Sequence, residues 1–524
     1  MTYLFVNNQE IKNEVGNPIS VSKNTTINSE QNPISVEETR RFEASSRSAF
    51  GEPISVPITP TIQMDALYGL PTRDFEVFSA STGTAGTTGT LFQVETGVSP
   101  GGYGVVRSRK ILRYRPGQGA LCRFTAAYST PHVNTTQRAG LFAQEQALNI
   151  GYNGTQFGIL RQNGGKATIY DLEITSAVVG ANQTFTITLN SVPYTVVVPA
   201  GDITEVATTV AQASFPGWLV EQTGSNICFL SASVSVQAGV YSYSSSGAAT
   251  ASLTEIQTGV AHTDNWIYQE DWNIDTLDGN GHSGVTIDYS KLNIFQIQFR
   301  WLGAGEIRFA IEDPITGDMI FFHHIHYSNR NTDVHLDNPS FKLGYIAANL
   351  SGNTVTNSKV TGGSMMGAIE GLRGSSNYPT SIACPTKSSL NSNTVHHLLT
   401  IKNKLIYTGK INLKQNIAKK VSVSFQGQDP AEVLLILNST PSVPLVYNNV
   451  STVQSCSAYS TTTATFVEAN ELLLAVYILS PDSVGIFDLE DLGISIPNNA
   501  TLSIAIQSAQ SVQSVKASLI WEEI

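Results

Sequence analysis

Ile294-Phe295-Gln296-Ile297-Gln298-Phe299-Arg300-Trp301 alternates apolar and polar side chains along its whole length. Successive residues of a strand face opposite sides of a sheet. This stretch therefore puts Phe295, Ile297, Phe299 and Trp301 on one face and Gln296, Gln298 and Arg300 on the other. After the turn Leu302-Gly303-Ala304-Gly305, the residues Ile307, Phe309 and Ile311 alternate with Glu306 and Arg308. The two runs predict a hairpin with one buried and one wet face. A second turn, Asp313-Pro314-Ile315-Thr316-Gly317-Asp318, leads into Met319-Ile320-Phe321-Phe322 and completes a meander of three strands.

The same alternation recurs between turn signals from Asp74 onward, so the chain is expected to be all-β. It predicts an extended N-terminal arm over residues 1–74 and a central, jelly-roll-like β-sandwich over 75–171 plus 259–370. A small ββαββ domain is inserted at 172–258. There, Phe185–Leu189 and Tyr194–Val198 form a hairpin, followed by the strongest helix signal of the chain. Asp202 stands at an N-cap position with Glu205 three residues on, and Val206, Val210 and Ala213 share a helical face. A Gly/Ser/Asn-rich linker is expected at 371–395. The C-terminal β-sandwich at 396–524 holds about eight short strands, among them Val421–Phe425, Val433–Leu437, Leu472–Leu479, Leu502–Ile506 and Ala517–Trp521, the pattern of a jelly roll.

The arm carries one phrase three times: Asn17-Pro18-Ile19-Ser20-Val21, Asn32-Pro33-Ile34-Ser35-Val36 and Glu52-Pro53-Ile54-Ser55-Val56. Each copy places a proline before an alternating triplet, and so predicts a turn feeding a short strand. Few aromatics accompany them, and the arm lacks the apolar material for a core of its own. Ile19, Val21, Ile34, Val36, Ile54 and Val56 are the expected docking contacts to a partner surface, by addition of strands to an open sheet edge.

A chain of 524 residues exceeds the usual size of a single core. Its net charge of −11 and its lack of a Lys/Arg cluster argue against nucleic acid as a partner. No secretory signal is visible at Met1–Asn8, and the longest apolar run, Leu472–Leu479, is far too short to span a membrane as a helix. The expectation is a protein made without export and without membrane insertion. Cys122, Cys228, Cys384 and Cys456 are scattered, without the spacing of a zinc site or a disulfide framework.

Candidate chemistry is sparse. His324 and His326 fall on one side of a strand, where three copies around an axis could present six imidazoles to one transition metal. This pattern resembles the iron-binding repeats of trimeric phage fibre tips, although it occurs once here; strand histidines without a metal are the competing reading, as for His396 and His397. The loop Asp271–Gly281 is rich in carboxylates but lacks the EF-hand spacing, so an Asx-stabilised loop is expected. Glu270, Asp271, Asp275, Asp278, Glu312 and Asp313 are glycosidase candidates by residue type only. Tyr241 and Tyr243 could form a carbohydrate or protein contact, or simply a strand edge. No nucleophile motif or phosphate loop is present, so neither catalysis nor a cofactor is expected.

The repeated arm phrases, the stretch Trp272–Gly281, and Phe299–Gly305 with the histidine strand after it together resemble virion structural proteins of large tailed bacteriophages of the T-even-like type. The resemblance covers residues 1–370 in general pattern. It implies a β-rich, oligomeric tail-fibre, collar, baseplate or capsid-surface component located in the virion. Its partners would be other virion proteins; closure of open sheet edges adds further copies of the chain, a trimer above all, and the position of the C-terminal segment adds a host surface glycan or receptor. The alternatives are a polysaccharide-degrading tail protein and a sugar-binding capsid decoration protein.

Overall fold

The computed structural model describes residues 56–372, 378–466 and 472–524. Ile19, Val21, Ile34, Val36 and Ile54 lie outside the described residues; Val56 lies outside any strand and is 56% exposed. The described chain is nearly all β, with a single α-helix among the described residues.

The opening stretch forms the strand Asn293–Phe299, and Phe295, Ile297 and Phe299 are buried. They pair across the hairpin with Ile311, Phe309 and Ile307 of the strand Ile307–Glu312. On its other side the strand pairs with Ala120–Tyr128, where Phe295 stacks on Phe124 at 5.6 Å. The face expected to be wet is partly covered. Gln296 is only 6% exposed and its side-chain carbonyl accepts from Arg123 Nε and Nη2, while Gln298 donates to Glu370. These polar groups are sheltered because each finds a hydrogen-bond partner on a neighbouring strand.

Two antiparallel sheets make up the central sandwich. One runs Met319–Ile325, Ile307–Glu312, Asn293–Phe299, Ala120–Tyr128, Lys359–Gly362, Leu91–Glu95, Thr84–Thr88, with Ser364–Glu370 also on Ala120–Tyr128. The other runs Thr263–Tyr268, Gln156–Asn163, Ala147–Asn153, Thr135–Phe142, Ser340–Asn349, Tyr103–Ser108, Phe75–Ala80. Late strands thus pair with early ones, and Phe92, Tyr128, Phe157, Phe295 and Tyr345 fill the space between. Each such ring contributes roughly 1.5–3 kcal/mol by burial.

The first strand, Ile58–Asp65, falls inside the segment expected to be an arm, yet it pairs with Ser364–Glu370 and buries Ile62, Met64 and Ala66 in the central core. Pro60 is compatible with a strand that has one neighbour. The arm expected to run to residue 74 therefore ends before this strand. Its polar average hides a short alternating run.

Between Ile169 and Gln257 lie a four-stranded sheet, a three-stranded sheet and the helix Ile203–Ala211. The Asp202 carboxylate accepts from the backbone N–H of Thr204 and Glu205 at 2.8 and 2.9 Å, and Glu205 accepts from the N–H of Asp202 at 3.0 Å. Val206 and Val210 enter the core of this module, while Ala213 packs against it from beyond the helix end. Replacing Asp202 with Ala is expected to cost about 1 kcal/mol in urea denaturation, and no measurable change would mean that the box is idle.

The C-terminal sandwich has one sheet ordered Pro379–Ala383, Val512–Glu523, Asn416–Gln426, Val484–Asp488, and a second containing His396–Asn403, Thr501–Ser508, Ala431–Leu437, Leu472–Leu479 in that order. Counted along the chain, these eight strands pair first with eighth, second with seventh, third with sixth and fourth with fifth. That is an antiparallel ribbon rolled up, the connectivity of a jelly roll. The region expected to be a linker, 371–395, supplies the first of these strands, and Lys387–Leu390 also pairs with Val512–Glu523. Its composition misleads because few of its described residues are buried apolar side chains, among them Cys384 and Leu390 in the main core and Val395 in a smaller cluster.

Thr59–Ile524 forms one compact unit. Glu221 of the small module, 4% exposed, accepts from the backbone N–H groups of Leu405 and Ile406 at 2.8 and 3.3 Å and lies 3.4 Å from Lys402 Nζ. Ala167, Ile169 and Leu230 pack on Leu405 and Ile411 beside it. The module is therefore clamped to the C-terminal sandwich.

Candidate functional site

Two features stand out once the elements are in place: a histidine–carboxylate cluster on the meander and an apolar edge on the C-terminal sandwich.

In the meander, Arg308 lies opposite His324 and Ile307 opposite Ile325, past a bulge near Phe309. Residues of one face alternate, so Glu306, Arg308, His324 and His326 all point outward together. The turn before them is tight. Gly305 donates to Trp301 O at 2.7 Å, and a Cβ on it would lie 1.7 Å from Arg300 O, so glycine is required there. Glu306 Oε1 lies 3.1 Å from His324 Nδ1 and 3.2 Å from His326 Nδ1, and Oε2 accepts from Arg300 Nη2 at 3.1 Å and Arg308 Nε at 2.5 Å. The two imidazole centroids are 5.7 Å apart.

Burial pushes the Glu306 carboxyl up, but Arg308, His324 and Arg300 outweigh it and hold it below the usual range. Burial, with help from Arg308 and His326, lowers His324, and Glu306 offsets only part of that. His326 is half-exposed at the rim of an open concavity of about 660 Å³ that Arg300, Tyr327 and Arg330 also border. His323 points the other way: it is buried, pushed down to about 4 by that burial, and its Nδ1 accepts the Asn273 N–H at 3.2 Å. Among the described residues, Glu306, His324 and His326 are the group of three whose ligand atoms all lie within 4.8 Å of one another. Glu306 escaped the sequence reading because its partnership depends on hairpin register across a bulge.

The remaining candidates have ordinary partners. Asp275 accepts from the N–H groups of Leu277 and Ser283, Asp278 from Asn280 N–H and Thr276 Oγ1, and Asp313 from Ile315 N–H and Thr316 Oγ1. Each closes its own turn. Glu270 and Asp271 lie on the short 3₁₀ turn Gln269–Asp271, and Glu312 ends its strand. His397 is buried between Thr462 O and Thr400 Oγ1, and His396 Nε2 lies 3.0 Å from Asn391 O. Tyr241 stacks on Tyr170 at 4.0 Å and Tyr243 meets Phe185 edge-on, so these rings serve the module's own packing.

The second feature is the strand Leu472–Leu479, which ends its sheet. Its inward residue Tyr477 stacks on Phe487 of the opposite sheet at 4.1 Å. Outward, Leu473, Val476 and Ile478 are exposed, Ile478 at 72%, and pair across the strand with Ile436, Leu434 and Glu432. Leu434 and Ile436 themselves belong to a small buried cluster with Val395, Phe466 and Ala505 on that outer face. The end strand of the other sheet, Val484–Asp488, exposes Val484 and Ile486. Residues 472–479 carry no charge.

No protein-family model matches the chain, and no curated protein matches it. Solved structures similar to it include arcelin-5, a lectin-like defence protein from Phaseolus vulgaris, at 8% identity, with 60% of this chain and 100% of that one covered and a TM-score of 0.19. A structure of the infectious bursal disease virus Gx strain is similar at 8% identity over 84% of this chain and 72% of that one, with a TM-score of 0.18. A structure described as the triple jelly roll fold and turret assembly in an archaeal virus is similar at 10% identity over 89% and 90%, with a TM-score of 0.14. At these TM-scores no shared fold follows.

Proposed function

We propose that this chain is a non-enzymatic structural component of a virus particle, anchored through its N-terminal arm and displaying its sandwich domains outward as a trimer. The observation that carries the reading is the uncharged end strand Leu472–Leu479, whose outer face presents Leu473, Val476 and Ile478 to solvent. Proteins that work alone blunt such an edge with lysine, proline or a covering segment, because open strands and apolar patches invite association. In a closed oligomer a second copy of the chain covers it. The arm's Pro-Ile-Ser-Val phrases suit anchoring to a neighbouring virion protein, and the resemblance to tailed-phage proteins supplies the particle. The turn-closing roles of Asp275, Asp278 and Asp313 favour a scaffold over a glycosidase. Attachment to a host glycan or receptor belongs to the same reading. Among the described residues no helix is long and apolar enough to cross a membrane.

Sedimentation equilibrium of the full-length protein is expected to give a trimer. The double replacement Val476→Asp and Ile478→Asp is expected to give monomers with an unchanged circular-dichroism spectrum. A wild-type protein that stays monomeric up to ~100 μM would remove the edge as an assembly surface. Deleting residues 2–56 spares the strand Ile58–Asp65 and is expected to leave the body folded and trimeric but absent from particles. Undiminished incorporation would refute anchoring by the arm.

A further inference from the structure

We propose that Glu306, His324 and His326 bind one divalent transition-metal ion per chain. The proposal is independent of the assembly reading above, and it needs no symmetry axis because Glu306 completes the ligand set within one chain. Three observations carry it.

The first is spacing. Ligand atoms about 2.0–2.2 Å from a shared ion stand roughly 2.9–3.5 Å apart along an edge of a tetrahedron or octahedron. The separations from Glu306 Oε1 to the two Nδ1 atoms, 3.1 and 3.2 Å, fall in that range. A proton on each Nδ1 would give the same distances, so spacing alone does not choose between a metal and two hydrogen bonds.

The second is the support of the donors. The second oxygen of Glu306 is gripped by Arg300 and Arg308, which turns the first toward the imidazoles, as outer hydrogen bonds orient a ligating carboxylate. The two guanidiniums also oppose a dication, so the site must rely on its imidazoles for affinity.

The third is access. His326 is half-exposed beside the open concavity, which offers an entry path and room for water to complete the shell. Two imidazoles and one carboxylate with open positions suit Zn²⁺, Fe²⁺, Co²⁺ or Ni²⁺ better than Mg²⁺ or Ca²⁺, which take oxygen ligands.

The test is a Co²⁺ titration of full-length, chelator-treated protein, read by visible absorption. The expected result, after subtraction of the spectrum of aqueous Co²⁺, is shifted and intensified d–d bands that saturate at one equivalent per chain, without a thiolate charge-transfer band. His326→Ala and Glu306→Gln are each expected to weaken binding at least tenfold. His326 is half-exposed, so that variant folds whatever the site does, and its circular dichroism checks this. A spectrum at tenfold excess Co²⁺ no different from that of the same Co²⁺ in buffer, or bands unchanged in His326→Ala, would overturn the proposal and leave two histidines hydrogen-bonded to a carboxylate.

Discussion

Replacing Glu221 with Ala is expected to destabilise the protein by about 3–5 kcal/mol, the usual cost of removing one partner from a buried ion pair. The carboxylate does three jobs at once: it accepts from Leu405 N–H and Ile406 N–H and faces Lys402. Alanine would strand one buried and one partly buried backbone donor as well as a cation that is itself mostly buried. The loss falls at the seam between the small module and the C-terminal sandwich, so hydrogen exchange should show amides of 169–257 and 396–411 opening first. Urea denaturation supplies the magnitude. A change under 1 kcal/mol would mean that the apolar contacts of Ile169, Leu230, Leu405 and Ile411 hold the seam without it.

Acid is expected to unfold the protein between pH 6.5 and 4. Burial pushes His323, His335 and His397 down from 6.5 to about 4. Above pH 6.5 these imidazoles are neutral in both states and contribute no pH dependence. As pH falls through the window, the unfolded chain takes up protons that the folded chain refuses, and stability is lost until about pH 4. Each group accounts for roughly 3 kcal/mol across the window. Three together are comparable to the whole stability of a typical domain. Below 4.5 a second loss begins, because Glu76 and Glu523 are held below the ordinary carboxylate value in the folded state despite the opposing effect of burial. Lys342 and Arg107 do this for Glu76, and the hydroxyls of Ser455 and Ser457 for Glu523. Thermal melts at pH 7.5, 5.5 and 4.5 should show a steep fall over the first interval. A melting temperature that is level down to pH 4.5 would contradict the burial of these rings.

What could be read in the sequence was whatever is local. Alternation alone put Phe295, Ile297 and Phe299 inside, and a three-residue spacing was enough for the Asp202–Glu205 box. Contacts between distant segments were another matter. Ile58–Asp65 is stabilised by a strand about 300 residues away, so its neighbours in sequence, rich in Asn, Ser and Thr, disguised it. Residues 379–390 read as a linker because they fill the margin of a sheet and need few apolar side chains. At the cluster, His324 and His326 were visible as an alternating pair on one strand. Glu306, Arg300 and Arg308 were not, because a bulge sets their register and no single strand records it.

The rolled ribbon also orders events during translation. The strand Val512–Glu523 lies in the interior of its sheet, between Pro379–Ala383 and Asn416–Gln426. It is also made last of the eight. At about 5–20 residues per second, the ribosome leaves Pro379–Ala383 waiting roughly 7–30 s for its neighbour. Until then Val421, Val423 and Phe425, buried in the finished fold, have half of their surroundings missing. A messenger cut short before codon 512 would yield a domain with a gap through its middle, prone to aggregate rather than to assemble. The topology therefore makes late synthesis a checkpoint: a nascent chain gains a competent C-terminal domain only after the ribosome has passed that strand.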